Sequence, residues 1–161
     1  MKSTPSQRSQ RAQDKLDQRR ASKLNKLKVE LRQLANQKQE ALPQNSLPQV
    51  RKLFAITQGE DLTLIARKYC FDFLLSGLID EEAMMTDLAD DFFQLSETKQ
   101  LVLLRTEILK LPKMEILRKV VASKRHIVIK DLVEMVPEHF FGDVAFKTRI
   151  VHATNVLSWL R

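Results

Sequence analysis

Leucines recur at helical spacing near the start of the chain. Four of them follow a 3-4-3 pattern, which places their side chains on one face of a helix. They are Leu24, Leu27, Leu31 and Leu34. The periodicity predicts a helix over about residues 16–39, after a flexible Ser-, Gln- and Arg-rich arm over residues 1–13. Because the leucine stripe covers only about two heptads, it is short for a self-sufficient coiled coil, and we expect it to dock on a protein partner or to form a homodimer.

After Pro48 the chain alternates helical runs with short turns. A helix is predicted over residues 61–76, with Gly77 as its C-cap. An apolar pair, an acidic turn, a second apolar pair and a new helix then follow. The two pairs are Leu78-Ile79 and Met84-Met85, and Thr86 opens the helix. This order is typical of a helix followed by a minimal β-hairpin, so residues 46–95 are predicted to form a first winged-helix-like unit whose hairpin is the wing.

Residues 96–161 contain four more helical runs and one short β-branched run. The helices are predicted over residues 96–112, 113–123, 130–136 and 145–160. The β-branched run at residues 126–129 predicts an edge strand. Helix, short strand, helix, turn and long helix form the ground plan of a helix-turn-helix unit. The expected domains are therefore an N-terminal extension over residues 1–45 and two units over 46–95 and 96–161.

The composition supports a mainly α fold. With 3 Gly and 5 Pro in 161 residues, the chain lacks the turn residues that a many-stranded sandwich or barrel requires. The single cysteine, Cys70, excludes an internal disulfide, and we interpret it as a buried small hydrophobic residue. No apolar run is long enough to cross a bilayer, and no signal-peptide core follows the first methionine. We therefore expect a soluble cytoplasmic protein without a membrane partner.

The net charge of +7 is confined to the N-terminal extension. Residues 1–45 hold 11 Lys and Arg against 4 Asp and Glu, whereas residues 46–161 hold 16 of each class. Basic side chains surround the leucine stripe on the predicted helix: Arg19, Arg20, Lys23, Lys26, Lys28 and Arg32. This pattern is typical of helices that meet phosphates, an acidic protein or a membrane surface. A solvated charged face explains it equally well.

Candidate DNA contacts also lie in the two folded units. On the last helix they are Lys147, Arg149, His152 and Asn155, whose side chains are of types that bind phosphates and base edges. Elsewhere they are Lys124 and Arg125 in a basic turn, and Arg67 and Lys68 beside Tyr69. Each group has a simpler interpretation as a solvated helix face, a loop or a charged rim. Trp159 is expected to pack in the core.

Two stretches resemble a known class of domain. ARKYCFDFLLSGLIDEEAMMTDLADDFFQLS is similar to the recognition helix and wing of a winged helix. The later LLRTEILKLP, EILRKVV and FKTRIVHATNVLSWLR resemble the winged helix-turn-helix domains of bacterial restriction-modification and defence-related proteins. Over residues 48–161 this resemblance implies binding of double-stranded DNA, with the long helix in the major groove and the wing on the backbone. The acidic residues of the expected wing depart from that pattern, because they repel phosphates, so the first unit is also a candidate for protein contact.

No pattern of residues indicates an enzyme or a cofactor. The three histidines, His126, His139 and His152, are 13 residues apart and do not match zinc-ligand spacing. Three glycines are too few for a phosphate-binding loop, and no Ser or Cys lies in a nucleophile motif. Two hypotheses remain. The first is a non-enzymatic DNA-binding or adaptor protein that binds duplex DNA through the C-terminal helix-turn-helix and the basic helix, and the second is a structural subunit of a larger complex.

Overall fold

The computed structural model describes residues 5–58, 61–124 and 126–160. Eight α-helices make up most of the described chain. They are α1 (Pro5–Asn36), α2 (Leu47–Thr57), α3 (Arg67–Leu75), α4 (Asp87–Gln94), α5 (Glu97–Ile108), α6 (Pro112–Ala122), α7 (Ile129–Met135) and α8 (Phe146–Leu157). Short 3-10 turns at Lys38–Glu40 and Leu62–Leu64 precede α2 and α3. The prediction of a mainly α fold is therefore confirmed.

The predicted β-hairpins are wrong. The described residues contain no strand, and the expected first wing is reduced to one antiparallel bridge between Ile79 and Met85. Its turn is closed by the Asp80 carboxylate, which accepts hydrogen bonds from the backbone N–H groups of Glu82 at 2.9 Å and Met84 at 3.0 Å. Helix ends flank both arms so closely that no residues remain to extend a ladder.

The end of α3 shows why the arms are so short. Gly77 has φ +79°, and its N–H donates to the carbonyl of Leu74, while the N–H of Leu78 donates to the carbonyl of Phe73. These two bonds form a Schellman motif, so the prediction that Gly77 caps this helix is confirmed. On the other arm, the Thr86 hydroxyl donates to the Gly77 carbonyl at 2.5 Å, and α4 begins at the next residue.

The second predicted strand is also wrong, because Ile129 already belongs to the first turn of α7. The helix-turn-helix plan differs as well. Residues 136–145 separate α7 from α8, whereas a helix-turn-helix joins its helices by a turn of about three or four residues. α7 and α8 therefore pack together through a longer connection.

One continuous set of buried apolar side chains runs through all three predicted segments. Phenylalanines from α2, α3 and α4 meet at its centre, where the Phe54 ring lies 4.9 Å from that of Phe73 and 5.3 Å from that of Phe92. At the C-terminal end Trp159 is fully buried, as expected. α1 joins the same core through Leu27 and Leu31.

A buried carboxylate ties the connection between α1 and α2 to the rest of the protein. Asp72 on α3 is fully buried and accepts hydrogen bonds from the backbone N–H groups of Gln44 and Asn45, each at 2.8 Å. The Asn45 side-chain amide donates a third hydrogen bond to it at 2.9 Å. From the other side, the indole N–H of Trp159 donates to the Asn45 carbonyl at 2.9 Å. Residues 41–46, which we call the linker, are therefore held between α3 and the C-terminal turn.

The same burial perturbs the titration of this carboxyl group. Burial raises the pKa of Asp72 from 3.8 to about 7, although the hydrogen bonds from Gln44 and Asn45 act in the opposite direction. Between about pH 4 and pH 7 the folded protein therefore keeps a proton that the unfolded chain has lost. Raising the pH through this window lowers the free energy of unfolding.

We predict that the wild type loses about 2 kcal/mol of stability relative to the Asp72→Asn variant between pH 5 and pH 8, since the variant has no carboxyl to ionise. Urea unfolding followed by the fluorescence of Trp159 measures both proteins at each pH. The exposed Asp91→Asn variant is the control and should follow the wild type. A stability difference between wild type and Asp72→Asn that does not change with pH would contradict this interpretation.

Candidate nucleic-acid interface

The first helix carries a straight row of positive charge. Six cations follow one another at steps of three or four residues, and at 100° per residue all six lie within one third of the helix circumference. They are Arg8, Arg11, Lys15, Arg19, Lys23 and Lys26, and we call them the cationic stripe. With a rise of 1.5 Å per residue, the stripe is about 27 Å long. All six residues are exposed.

The acidic residues in this part of α1 lie away from the stripe. Asp14 and Asp17 are on the opposite half of the helix, where they accept hydrogen bonds from the amides of Gln10 at 3.0 Å and Gln13 at 2.9 Å. Within the described ranges, no carboxylate lies within ion-pairing distance of Arg8, Lys15, Arg19, Lys23 or Lys26. The positive field of the stripe is therefore not neutralised by direct ion pairs at these positions.

Other basic residues of α1 form ion pairs with residues 46–161, which we call the body. Lys28 and Arg32 both pair with Glu82 in the turn before α4, and the hydrogen bond from Arg32 to Glu82 raises the pKa of the guanidinium. Arg20 lies 3.9 Å from a carboxylate oxygen of Asp61. Of the predicted DNA contacts on α1, Arg19, Lys23 and Lys26 therefore belong to the cationic stripe, whereas Arg20 pairs with the body.

The leucine stripe packs inside the protein. Leu31 is fully buried, Leu27 is 7% exposed, and Leu34 is partly buried against the same core. Leu24, at the outer end of the contact, is half-buried. The surface on which these leucines dock is the chain's own body, around α3 and the 3-10 turn before it. A protein partner has to displace this packing before it can bind the two central leucines.

Arg67 and Lys68 stand side by side at the start of α3. Arg67 pairs with Glu30 of α1 at 2.8 Å, and together with Lys23 and Lys26 it lines a cavity of about 190 Å³. The ammonium of Lys68 lies 5.7 Å from the centre of the Tyr69 ring. Glu30 lines the same cavity and offsets the charge of Arg67, so among the described residues Lys68 is the unpaired cation at the start of α3.

The predicted contacts on α8 do not share one surface. Lys147 is exposed, but Arg149 is half-buried, with its guanidinium 5.7 Å from the centre of the Phe146 ring and its Nε enclosed. Asn155 donates from its side-chain amide to the Gln44 carbonyl at 3.1 Å, so it helps to hold the linker. α8 therefore presents one exposed cation, which is less than a DNA-reading helix usually offers.

Three predicted residues from distant parts of the chain do come together. Lys68 of α3 and His152 and Asn155 of α8 line one cleft of about 400 Å³. The basic turn after α6 lies elsewhere, and its Lys124 is exposed. Arg125 lies outside the described residues.

Sequence reasoning missed half of the cationic stripe. Arg8, Arg11 and Lys15 fall in or next to the segment that was predicted to be a flexible arm, and that prediction is wrong from Pro5 onward because α1 begins there. The spacing of the basic residues could have predicted this part of the helix. Steps of 3, 4, 4, 4 and 3 from Arg8 to Lys26 have the period of a helix even though the segment has almost no apolar residues.

The described residues contain no group of three His, Cys, Asp or Glu side chains that is arranged to hold a metal ion. Cys70 of α3 is buried, and burial raises the pKa of its thiol to about 11. Within residues 5–58, 61–124 and 126–160, no helix has the length and apolar character that spanning a membrane requires.

Comparisons with protein-family models, with curated proteins and with solved structures gave no match. The resemblance to winged helix-turn-helix domains therefore stays a prediction from the sequence.

The outer part of α1 should be the least protected helix in the protein. Residues 6–19 are exposed on every face, and an isolated helix of this length is marginally stable in water. We expect their amide protons to exchange at least about 100-fold faster than those of residues 27–34, which pack on the core. Hydrogen exchange read by mass spectrometry compares the two segments within one helix. Equal protection would mean that another surface covers the stripe.

Proposed function

We propose that this protein is a non-enzymatic DNA-binding protein that holds the phosphates of double-stranded DNA along the cationic stripe of α1. The observation that carries the proposal is the row of six exposed cations on one face of a single helix. Lys and Arg side chains that replace condensed counterions supply most of the sequence-independent affinity of proteins for duplex DNA. The proposal therefore concerns affinity for the backbone and assigns no base preference.

The dimensions of the stripe agree with those of a duplex. A duplex carries about one phosphate charge per 1.7 Å of its axis, so a 27 Å stripe faces about 16 charges. An α-helix is 10–12 Å in diameter, and the major groove of B-DNA is about 12 Å wide. A helix with cations on one side fits along this groove or across its rim.

The distribution of charge over the body supports the same assignment. Residues 46–161 have no net charge, and α4 exposes Asp87, Asp90 and Asp91. Such an acidic surface repels phosphates and leaves α1 as the favoured side for a duplex. In this proposal the body anchors and orients α1, and α8 serves as part of that anchor and not as the reading helix.

The second hypothesis, an adaptor subunit held by the leucine stripe, has less support. Leu27 and Leu31 are already buried within the chain. The two hypotheses differ in their response to salt, since phosphate contacts weaken steeply as salt rises, whereas apolar contacts barely respond.

The test is fluorescence anisotropy on a blunt 20-base-pair duplex of mixed sequence, repeated from low to high salt. A variant with Arg8→Gln, Lys15→Gln and Arg19→Gln removes three stripe charges and keeps good helix formers at those positions. We expect the wild type to show a log–log salt slope of about −5, and the variant to bind about 100-fold more weakly at 0.1 M salt, with a slope smaller by about 3.

A matched control has the same net charge but leaves the stripe intact. Lys99→Gln, Lys119→Gln and Lys130→Gln remove three exposed lysines from α5, α6 and α7. The control should bind within about threefold of the wild type. Equal weakening of both triple variants, or no binding of the wild type at low salt, would refute the proposal. Deleting residues 1–45 is a poorer test, because it also removes Leu27 and Leu31 from the core.

A further inference from the structure

A polar cleft lies between α3 and α8, with the linker along one side. We call it the α3–α8 cleft, and its volume is about 400 Å³. Six of its lining side chains matter for its chemistry: Gln44, Gln49, Lys68, Tyr69, His152 and Asn155. No Asp or Glu is among the described residues that line it, although the carboxylate of Asp72 is buried nearby against Asn45. An anion can therefore enter the cleft without meeting a carboxylate in its lining.

Several polar groups in the cleft have no partner within the described part of the chain. The ammonium of Lys68 forms no ion pair within the described residues and lies 5.7 Å from the centre of the Tyr69 ring, and its charge acts to lower the pKa of the nearby Asp72. The half-buried imidazole of His152 forms no hydrogen bond, and Asn155 uses its amide N–H on the Gln44 carbonyl but leaves its Oδ1 without a donor. Lys68 is exposed, and His152 and Asn155 are half-buried. Their uncommitted donors and acceptors converge on one cleft, where a single polar ligand can bind to all of them.

The chemistry of the lining matches a nucleotide. Lysine and histidine bind phosphate, whereas side-chain amides pair with base edges because each offers both donors and an acceptor. An aromatic ring such as that of Tyr69 provides a face for an unstacked base. A volume of about 400 Å³ is within the usual range for small-molecule sites and leaves space for one nucleotide.

The cleft also continues the surface to which the duplex is assigned. Arg67 lines the cavity beside Lys23 and Lys26 of the cationic stripe, and the next residue, Lys68, lines the α3–α8 cleft. A strand that leaves the inner end of the stripe therefore passes Arg67, which is paired with Glu30, and then meets Lys68 at the edge of the cleft.

We propose that the α3–α8 cleft binds one unpaired nucleotide of a DNA strand whose duplex part lies on the cationic stripe. The inference rests on the proposed function for the duplex part and adds a preference for junctions between duplex and single strand. Lys68 and His152 hold the phosphate. The amide N–H of Gln49, whose oxygen accepts from the Ser46 N–H, and the Oδ1 of Asn155, whose N–H donates to Gln44, face the base.

The first experiment compares a blunt 20-base-pair duplex with the same duplex carrying a three-nucleotide overhang. By anisotropy, we expect the full-length protein to bind the overhang duplex about tenfold more tightly, which is the contribution of roughly one stacked base. In a Lys68→Gln, His152→Ala variant the two duplexes should bind within about twofold of each other, while affinity for the blunt duplex stays within about threefold of wild type. The stripe variant should weaken both duplexes and keep the preference.

The outcomes that overturn the cleft proposal differ from those that overturn the stripe proposal. Equal affinity of the wild type for blunt and overhang duplexes overturns the cleft proposal, and so does parallel weakening of both duplexes in the Lys68→Gln, His152→Ala variant, which would make the cleft a simple phosphate contact.

A second measurement is independent of duplex binding. Deoxyadenosine monophosphate, titrated into isotopically labelled full-length protein, should shift the NMR signals of Lys68, His152 and Asn155, both in the wild type and in the stripe variant. Inorganic phosphate at the same concentration should shift them much less. Absence of shifts with the nucleotide, or equal shifts with phosphate alone, overturns the proposal even if the duplex is bound.

Discussion

The carboxylate of Asp72 determines the path of the chain between the charged helix and the rest of the protein. Two backbone N–H groups and one side-chain amide of the linker converge on Asp72, which is itself fully buried. Without that acceptor, the buried donors of Asn45 lose their partner, at a cost of about 1–3 kcal/mol for each unsatisfied group. Trp159 completes the arrangement from the opposite side, so that α1, α3 and the C-terminal turn depend on one small polar cluster.

This anchoring explains how the basic helix α1 stays attached to the neutral body. The inner half of α1 contributes Leu27 and Leu31 to the core and pairs Lys28 and Arg32 with Glu82. The outer half carries the outer end of the cationic stripe, and its residues 6–19 are exposed. Charge that would destabilise a compact body is therefore displaced along a helix, where it is exposed to an anionic partner.

Local signals in the sequence predicted the helices and many of their ends. Gly77 caps α3, and the Ser96 hydroxyl accepts from the N–H of Lys99 at the start of α5, both from features within a few residues. The prediction of hairpins was wrong because the residues beside the Ile79–Met85 bridge belong to the end of α3 and the start of α4, so no strand can extend there. The role of Asp72 was not predictable, since its partners lie near residue 45, and an acid between two phenylalanines has no periodic signature. An even larger separation in sequence lies between Lys68 and His152, so their common cleft was hidden.

The central claim is that the Asp72 carboxylate holds the linker. Its most direct test is the urea unfolding of the Asp72→Ala variant beside Asp91→Ala, which removes an exposed carboxylate from α4. We expect Asp72→Ala to lose about 3 kcal/mol or more, because it leaves several buried donors unpaired, and Asp91→Ala to lose less than about 0.5 kcal/mol. Equal and small losses in the two variants would contradict the account.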